Sequence, residues 1–320
     1  MKKILIIQTA FIGDVILATS LIEKLHQFYP EAKIDFLLRK GNEGLLKNHP
    51  IVKDLIIWDK KNKKYDNLKS ITKSIKKTKY DLLINLQRFA SSGLITAFSG
   101  AKTTVGFKKN PLSFCFTKKF EHNIGDGTHE VERNQQLITH LTDNKAVNPK
   151  LYPSNQDYEK VLAYKKQDYV CMAPTSVWFT KQLPKEQWAK LINKTNDQQV
   201  VYLLGGPDDA GACEEIKQLA KRKNVVNLAG KLSFLESAAL MQNAKMNHVN
   251  DSAPLHIASA MNAPVTAYFC STIPSFGFGP LSDNSTIKEV KKQLDCRPCG
   301  LHGKKQCPKK HFDCGFQIEL

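Results

Sequence analysis

The sequence is short of several things that would assign it quickly. No run approaches the roughly 18 apolar residues that a membrane-spanning helix needs, since the longest near the start, Ile4–Ile7, stops at Gln8. Met1-Lys2-Lys3 ahead of that run has the look of a secretory signal, but Asp14 follows soon and no A-x-A-like cleavage site comes next. The run is therefore expected to be a strand of the folded protein. No G-x-G-x-x-G follows it, which disfavours a dinucleotide-dependent dehydrogenase. No D-x-D-like acidic pair stands where it would hold a catalytic cation. Acidic side chains are scarce, with 30 Asp and Glu against 47 Lys and Arg, so the formal net charge is +17. That balance suggests an anionic partner: nucleic acid, an anionic membrane face or a phosphorylated substrate. Aromatics are ordinary at 9% and no recognisable reading element is present, which argues against nucleic acid.

What is present suits two globular domains. At 320 residues and 42% hydrophobic, the chain is long for one domain and can bury sizeable cores. Cys115, Cys171, Cys213 and Cys270 are scattered singly, which fits a reducing, cytoplasmic compartment.

The order of elements is β–α–β. Lys3–Ile7 reads as a buried parallel strand, followed by a helix whose apolar residues recur at helical spacing until Pro30. Strands are expected at 34–38, 52–58, 81–86 and 105–107, with a helix from His129 to about Leu141. Nine lysines lie between Lys60 and Lys79; they read as a solvated helix face or as a surface attracted to anionic lipid. The polar stretch Asn144–Asp157, with Pro149 and Pro153, is the linker candidate. A second series follows, with strands at 169–173, 200–204, 225–230 and 247–249 and a last strand at Val265–Phe269. The division expected is 1–155, 156–294 and a cysteine-rich tail, 295–320. The fold class is α/β, with two doubly wound parallel sheets. Ligands of such sheets sit at strand carboxyl ends, where this sequence repeatedly carries Gly, Pro, Ser or Thr.

The stretch Asn250-Asp251-Ser252-Ala253-Pro254-Leu255-His256 ends a strand and opens a helix. Asp251 or Ser252 can cap it, Pro254 fits its first turn, and the free N–H groups of a helix N-terminus suit a phosphate. His256 either faces that seat or is simply packed. Asp14, at the end of the first strand loop, is either a helix cap or a catalytic base. Arg88, His129 and Arg133 are candidates to hold an anionic substrate, the commoner fate of such residues being surface ion pairs.

Ile12-Gly13-Asp14-Val15-Ile16-Leu17-Ala18-Thr19 resembles the first-loop signature of the ADP-heptose:lipopolysaccharide heptosyltransferases, glycosyltransferase family 9. Asn250–Ala260 resembles that family's donor loop, D-[ST]-G-x-x-H before an Ala-rich helix, with Ala253 where glycine is usual and Cys270 where Phe-Gly is usual after the last strand. Pro174-Thr175-Ser176 with Lys181 resembles its phosphate loop, and the terminal cysteine pattern occurs in heptosyltransferase II-like members. The resemblance covers nearly the whole chain. It implies a GT-B architecture, two Rossmann-like domains facing a central cleft, and inverting heptose transfer from ADP-heptose to a lipopolysaccharide inner-core acceptor.

It further implies roles for individual residues. Asp14 and Lys181 would be catalytic. Thr175, Ser176, Asp208, Leu232, Asp251, Ser252, Ala253 and His256 would bind the ADP-sugar donor; Leu232 is almost as well read as a core residue. Gly13, Arg88, His129 and Arg133 would bind the lipid-linked phosphorylated oligosaccharide acceptor. No catalytic cofactor is implied, and the enzyme would work in the cytoplasm, peripherally on the anionic inner membrane. The alternatives are a family-9-like transferase using another nucleotide sugar and a non-catalytic anionic-glycolipid binder.

Cys296, Cys299, Cys307 and Cys314 have the inventory of a structural zinc site, although the seven-position step from Cys307 to Cys314 is wider than usual. Reduced packed thiols and disulfides formed in air are the other readings. In each the tail acts as a structural clip.

Overall fold

Four consecutive β-branched or leucine side chains, Ile4–Ile7, are completely buried and form the centre of the first sheet. The computed structural model describes residues 1–320. The chain divides into two compact units, Met1–Ile124 with Glu130–Tyr152, and Gly125–His129 with Pro153–Leu320.

Unit 1 contains β1 (Lys3–Ile7), α1 (Ile12–Phe28), β2 (Lys33–Arg39), β3 (Val52–Trp58), α2 (Lys64–Thr78), β4 (Leu82–Asn85), α3 (Ala90–Phe98), β5 (Thr103–Phe107), β6 (Lys118–Phe120) and α4 (Glu130–Gln136). Its sheet runs β3-β2-β1-β4-β5-β6, every pair parallel. The chain winds one way through β2 and β3 and the other through β4, β5 and β6. The order therefore reverses between β1 and β4, where an open sheet leaves its crevice.

Unit 2 continues with α5 (Asn155–Val161), β7 (Tyr169–Ala173), α6 (Lys185–Lys194), β8 (Val200–Leu203), α7 (Ala210–Ala220), β9 (Val225–Asn227), α8 (Phe234–Gln242), β10 (Asn247–Asn250), α9 (Ala253–Ala260), β11 (Val265–Phe269), β12 (Ser285–Glu289) and α10 (Asp313–Phe316). Its sheet is β12-β11-β10-β7-β8-β9, again all parallel, and its order reverses between β7 and β10.

The cores follow from the apolar runs. In unit 1 Leu5, Ile7, Leu37, Trp58, Ile75, Tyr80, Leu83 and Ile95 form one cluster. In unit 2 Val170, Met172, Trp188, Val201, Leu203 and Tyr268 form another, and the tail residues Phe312, Cys314 and Ile318 belong to it. Each large side chain buried this way contributes about 1.5–3 kcal/mol. The tail is thus part of the second core.

Three details depart from the expected elements. Val265–Phe269 is not the last strand, because β12 follows, and β6 adds to the other sheet. Both are polar edge strands, Ser-Thr-Ile-Lys-Glu and Lys-Lys-Phe, without the apolar pattern of a buried strand. The helix opening near His129 ends at Gln136 and gives way to turns. Within the polar stretch after Asn144, Ser154 and Asp157 form a capping box that starts α5.

Candidate active site

The reversal point of the second sheet carries a buried ion pair. Asp251 directly follows β10, and Lys181 sits in a single 3-10 turn after β7. Lys181 Nζ lies 2.7 Å from Asp251 Oδ2, with side-chain exposures of 15% and 6%. The Thr272 hydroxyl donates to the same oxygen at 2.6 Å. Two donors converge on one carboxylate oxygen, so the lysine amine is held at the strand ends rather than in open solvent.

Asn250 builds the floor. It is fully buried, its Oδ1 accepts from the Leu183 N–H at 2.9 Å, and its Nδ2 points at the carbonyls of Ala173 (3.4 Å) and Thr175 (3.5 Å). One amide thereby joins the end of β10 to both flanks of the loop bearing Thr175, Ser176 and Lys181. Thr175 and Ser176 are half-buried, and the Ser176 carbonyl is held by Gln182 Nε2 at 2.7 Å.

Ser252 is the N-cap residue of α9, extended at φ −155°, and its side chain makes no cap hydrogen bond. Ala253 and Pro254 open the helix. The first N–H groups of α9 therefore face the Asp251 edge without a side-chain acceptor from the cap. His256 is 5% exposed, with its ring 6.5 Å from Phe278 in edge-on contact. At the end of β8, Asp209 rather than Asp208 caps the turn, taking the Gly206 N–H at 2.7 Å. Asp208 is exposed and Leu232 half-buried just before α8.

The first sheet's reversal point carries Asp14. It is the third residue of α1, and its Oδ2 accepts the N–H of Phe11 at 3.2 Å. The capping role and a position at the strand ends thus coexist in one carboxylate. The adjoining loop is braced from two sides. Gln87, after β4, hydrogen-bonds Gln8, and Lys60 Nζ donates to Thr9 O and Thr9 Oγ1, both at 2.9 Å. Lys60 also lies 4.6 Å above the Trp58 ring, and burial, with Arg39 and Lys64 nearby, pushes its pKa down to about 8. It is separate in role from the solvated lysines that follow it in the sequence.

The profile of glycosyltransferase family 9, the heptosyltransferase family, matches residues 68–311. Lipopolysaccharide heptosyltransferase 3 of Escherichia coli is 31% identical over 289 residues, which cover 86% of this chain and 85% of that protein. The chain belongs to glycosyltransferase family 9.

Lipooligosaccharide heptosyltransferase 2 of Haemophilus influenzae is 28% identical over 89% of this chain and 88% of its own length. Among solved structures, E. coli ADP-heptose LPS heptosyltransferase II aligns with a TM-score of 0.79 at 22% identity, covering 93% of this chain and 96% of that one. E. coli heptosyltransferase WaaC with ADP aligns at 0.71 and 18%, covering 89% and 92%. At those identities the structures speak for the fold alone: two Rossmann-like α/β domains of the GT-B type. Membership of family 9 makes the protein a glycosyltransferase.

The family-9 acceptor candidates fall in both units. Arg88 is exposed, with its guanidinium 5.4 Å from the Phe89 ring centre, and Gly13 is buried in α1. Arg133, expected to hold an acceptor, is instead 2% exposed, and its Nε donates to Glu130 Oε2 at 2.8 Å. His122, 3.2 Å from the other Glu130 oxygen, completes that buried cluster. The charge of Arg133 is met there by Glu130. His129 belongs by its contacts to unit 2, where Nε2 lies 3.1 Å from the Gly279 carbonyl.

A four-thiolate zinc site, one reading of the tail cysteines, is not confirmed. Cys296, Cys299, Cys307 and Cys314 are free thiols, and nowhere do three His, Cys, Asp or Glu side chains converge as metal ligands. Neighbouring sulfurs do share the region: after burial, Cys296 and Cys307 are among the causes that raise the Cys299 pKa. Cys299, Cys307 and Cys296 in turn add to burial in raising the Cys314 pKa. The Cys299 thiol donates to the Cys296 carbonyl at 3.2 Å, and Cys314 is packed in the core.

Proposed function

We propose that this family-9 protein transfers heptose from ADP-heptose to a lipopolysaccharide inner-core acceptor, with inversion at the anomeric carbon. The names of its relatives supply the sugar and acceptor class. The observation that carries the donor half is the Lys181–Asp251 pair at the reversal point of the second sheet. Diphosphate takes the Lys181 ammonium, the Thr175 and Ser176 hydroxyls and the N–H groups opening α9 after Ser252. Asp251, Ala253, His256, Asp208 and Leu232 complete the donor region, Asp251 through sugar hydroxyls and Leu232 through adenine.

Asp14 takes the acceptor hydroxyl proton as the oxygen forms its bond to the anomeric carbon. The bond from that carbon to the diphosphate oxygen breaks, and ADP leaves with the electron pair. Lys181 and the helix N–H groups meet the charge developing on the leaving oxygen. General-base assistance of this kind is worth about 10²–10⁴-fold.

Unit 1 also supports peripheral attachment to an anionic membrane. None of the five lysines of α2 is in an ion pair, and the adjoining α3 exposes Leu94 and Phe98. Each well-placed lysine adds about 1 kcal/mol at such a surface. Charge reversal of Lys69, Lys73 and Lys76 should release the protein from vesicles rich in anionic lipid; unchanged binding would remove this face from consideration.

The main reading is tested by ADP release from ADP-heptose in the presence and absence of truncated core acceptors. Release that depends on acceptor and falls at least about 10²-fold in Asp14→Asn supports it. Turnover only with another nucleotide sugar, or normal turnover in Asp14→Asn, would refute it.

A further inference from the structure

We propose that the C-terminal tail sets the geometry of the donor site, with Arg297 as a positioning residue that acts through Thr272, Asp251 and Lys181. The inference rests on the reading of Lys181 as the diphosphate-binding amine.

The guanidinium of Arg297 donates through Nε and Nη2 to the end of β11, to the loop after it and to one carboxylate. Its Nε donates to the Cys270 carbonyl at 2.7 Å, and its Nη2 reaches the carbonyls of Phe269 (3.1 Å) and Thr272 (2.7 Å). The same Nη2 lies 2.7 Å from Glu289 Oε2, in β12. Cys270, Ser271 and Thr272 are at most 2% exposed, so water cannot readily replace a lost donor to their carbonyls. The N–H of Cys299 adds a bond to the Ser271 carbonyl at 3.0 Å. The tail thereby fixes the backbone that carries the Thr272 hydroxyl, which holds the oxygen of Asp251 that Lys181 also uses.

A second set of bonds reaches Lys181 from its other side. The Thr180 hydroxyl oxygen accepts from the Lys304 N–H at 2.7 Å and from the Ser271 hydroxyl at 2.9 Å. The Thr180 N–H donates to the Lys304 carbonyl at 3.1 Å. Just before these anchors Gly303 has φ +74°, and a Cβ there would sit 2.9 Å from Lys181 Cγ and 3.2 Å from Thr180 Oγ1. The tail backbone forms a wall against the lysine stem. Two independent contacts, one through Asp251 and one through the stem, make the amine's position depend on the tail.

The planar fork of Arg297 serves several carbonyls at once, which a lysine ammonium cannot reproduce. Arg297→Lys, Thr272→Val and Gly303→Ala should each weaken ADP binding, measured by calorimetry on the full chain, by about fivefold or more. Thr272→Ser, which keeps the hydroxyl, should retain parental affinity. In a Lys181→Ala background the same Arg297→Lys change should alter ADP affinity by less than about twofold, because its effect passes through that amine.

Unchanged ADP affinity in Arg297→Lys and Gly303→Ala would overturn the proposal. So would an Arg297→Lys loss that persists undiminished without Lys181, which would mark a general structural role. If Lys181→Ala alone binds ADP normally, the donor reading fails and this proposal falls with it. That result is distinct from a failure of the tail substitutions alone.

Discussion

Lys181 Nζ and Thr272 Oγ1 meet on one oxygen of Asp251, at 2.7 and 2.6 Å. The lysine therefore has a partner before any diphosphate arrives, and the carboxylate has a second donor when the lysine is taken away.

A two-step substitution separates the structural from the functional share of this pair. Lys181→Ala leaves a 6% exposed carboxylate facing a single hydroxyl, a costly arrangement for a buried charge. It should lower both thermal stability and, by about 10²-fold, kcat/KM. Adding Asp251→Asn removes the stranded charge and should recover much of the melting temperature without recovering turnover. Joint recovery of both would show that Lys181 acts only by neutralising Asp251.

Asp14 allows a cleaner separation still. Its carboxylate takes the Phe11 N–H at the start of α1, so Asp14→Ala loses a cap worth about 0.5–2 kcal/mol. Asparagine keeps an acceptor oxygen. Both variants should lose at least about two orders of magnitude in turnover while still binding ADP-sugar. Only Asp14→Ala should also melt earlier. Near-parental turnover in Asp14→Asn would transfer the base role elsewhere.

The places of Asp14, Asp251 and Ser252 at strand ends were legible from local pattern, whereas Lys181 was singled out only by the resemblance to family 9. An apolar strand, a loop and a helix locate Asp14, and the same grammar locates Asp251 and Ser252. The supports were not legible. Arg297 reaches Thr272 across 25 positions, Lys304 reaches Thr180 across 124, and Asn250 spans 67 to Leu183. Such bonds leave no periodicity to read. The burial of Arg133 was not legible either: an arginine near a helix start reads as an anion ligand or a surface ion pair, and the sequence does not say that Glu130, three positions earlier, is buried beside it. Edge strands β6 and β12 escaped because their polar sequences lack the apolar run that identifies interior strands.

His248 gives a pH dependence of known sign. It lies on β10 with Nδ1 3.1 Å from the Tyr268 hydroxyl, and burial pushes its pKa from 6.5 down to about 4. Between those values the unfolded chain binds a proton that the folded chain refuses, so stability rises with pH across that window. The contribution is complete above about pH 6.5 and falls away on acidification towards pH 4, by at most about 3 kcal/mol. Urea midpoints measured from pH 4 to 7 should show a shallower slope for His248→Gln than for the parent. Equal slopes would mean that the imidazole titrates normally in the folded protein.

The thiols should react in an order set by burial. Cys115 is exposed and should be alkylated first in reduced protein at neutral pH. Cys296, Cys299 and Cys307 are half-buried, and burial, then Cys296 and Cys307, raises the Cys299 pKa; that thiol should be the slowest of the three. Cys213 and Cys314 are pushed up to about 12 by burial, and Cys171 and Cys270 also lie well above their ordinary range. A thiol that keeps its proton is a poor nucleophile, so these four should label only on unfolding. Mass spectrometry of time-resolved alkylation reads the order directly. Zinc added beforehand should leave it unchanged, because no three side chains converge as ligands. Joint protection of Cys296, Cys299 and Cys307 by stoichiometric zinc would show instead that the tail closes around a metal, and would reverse that assignment.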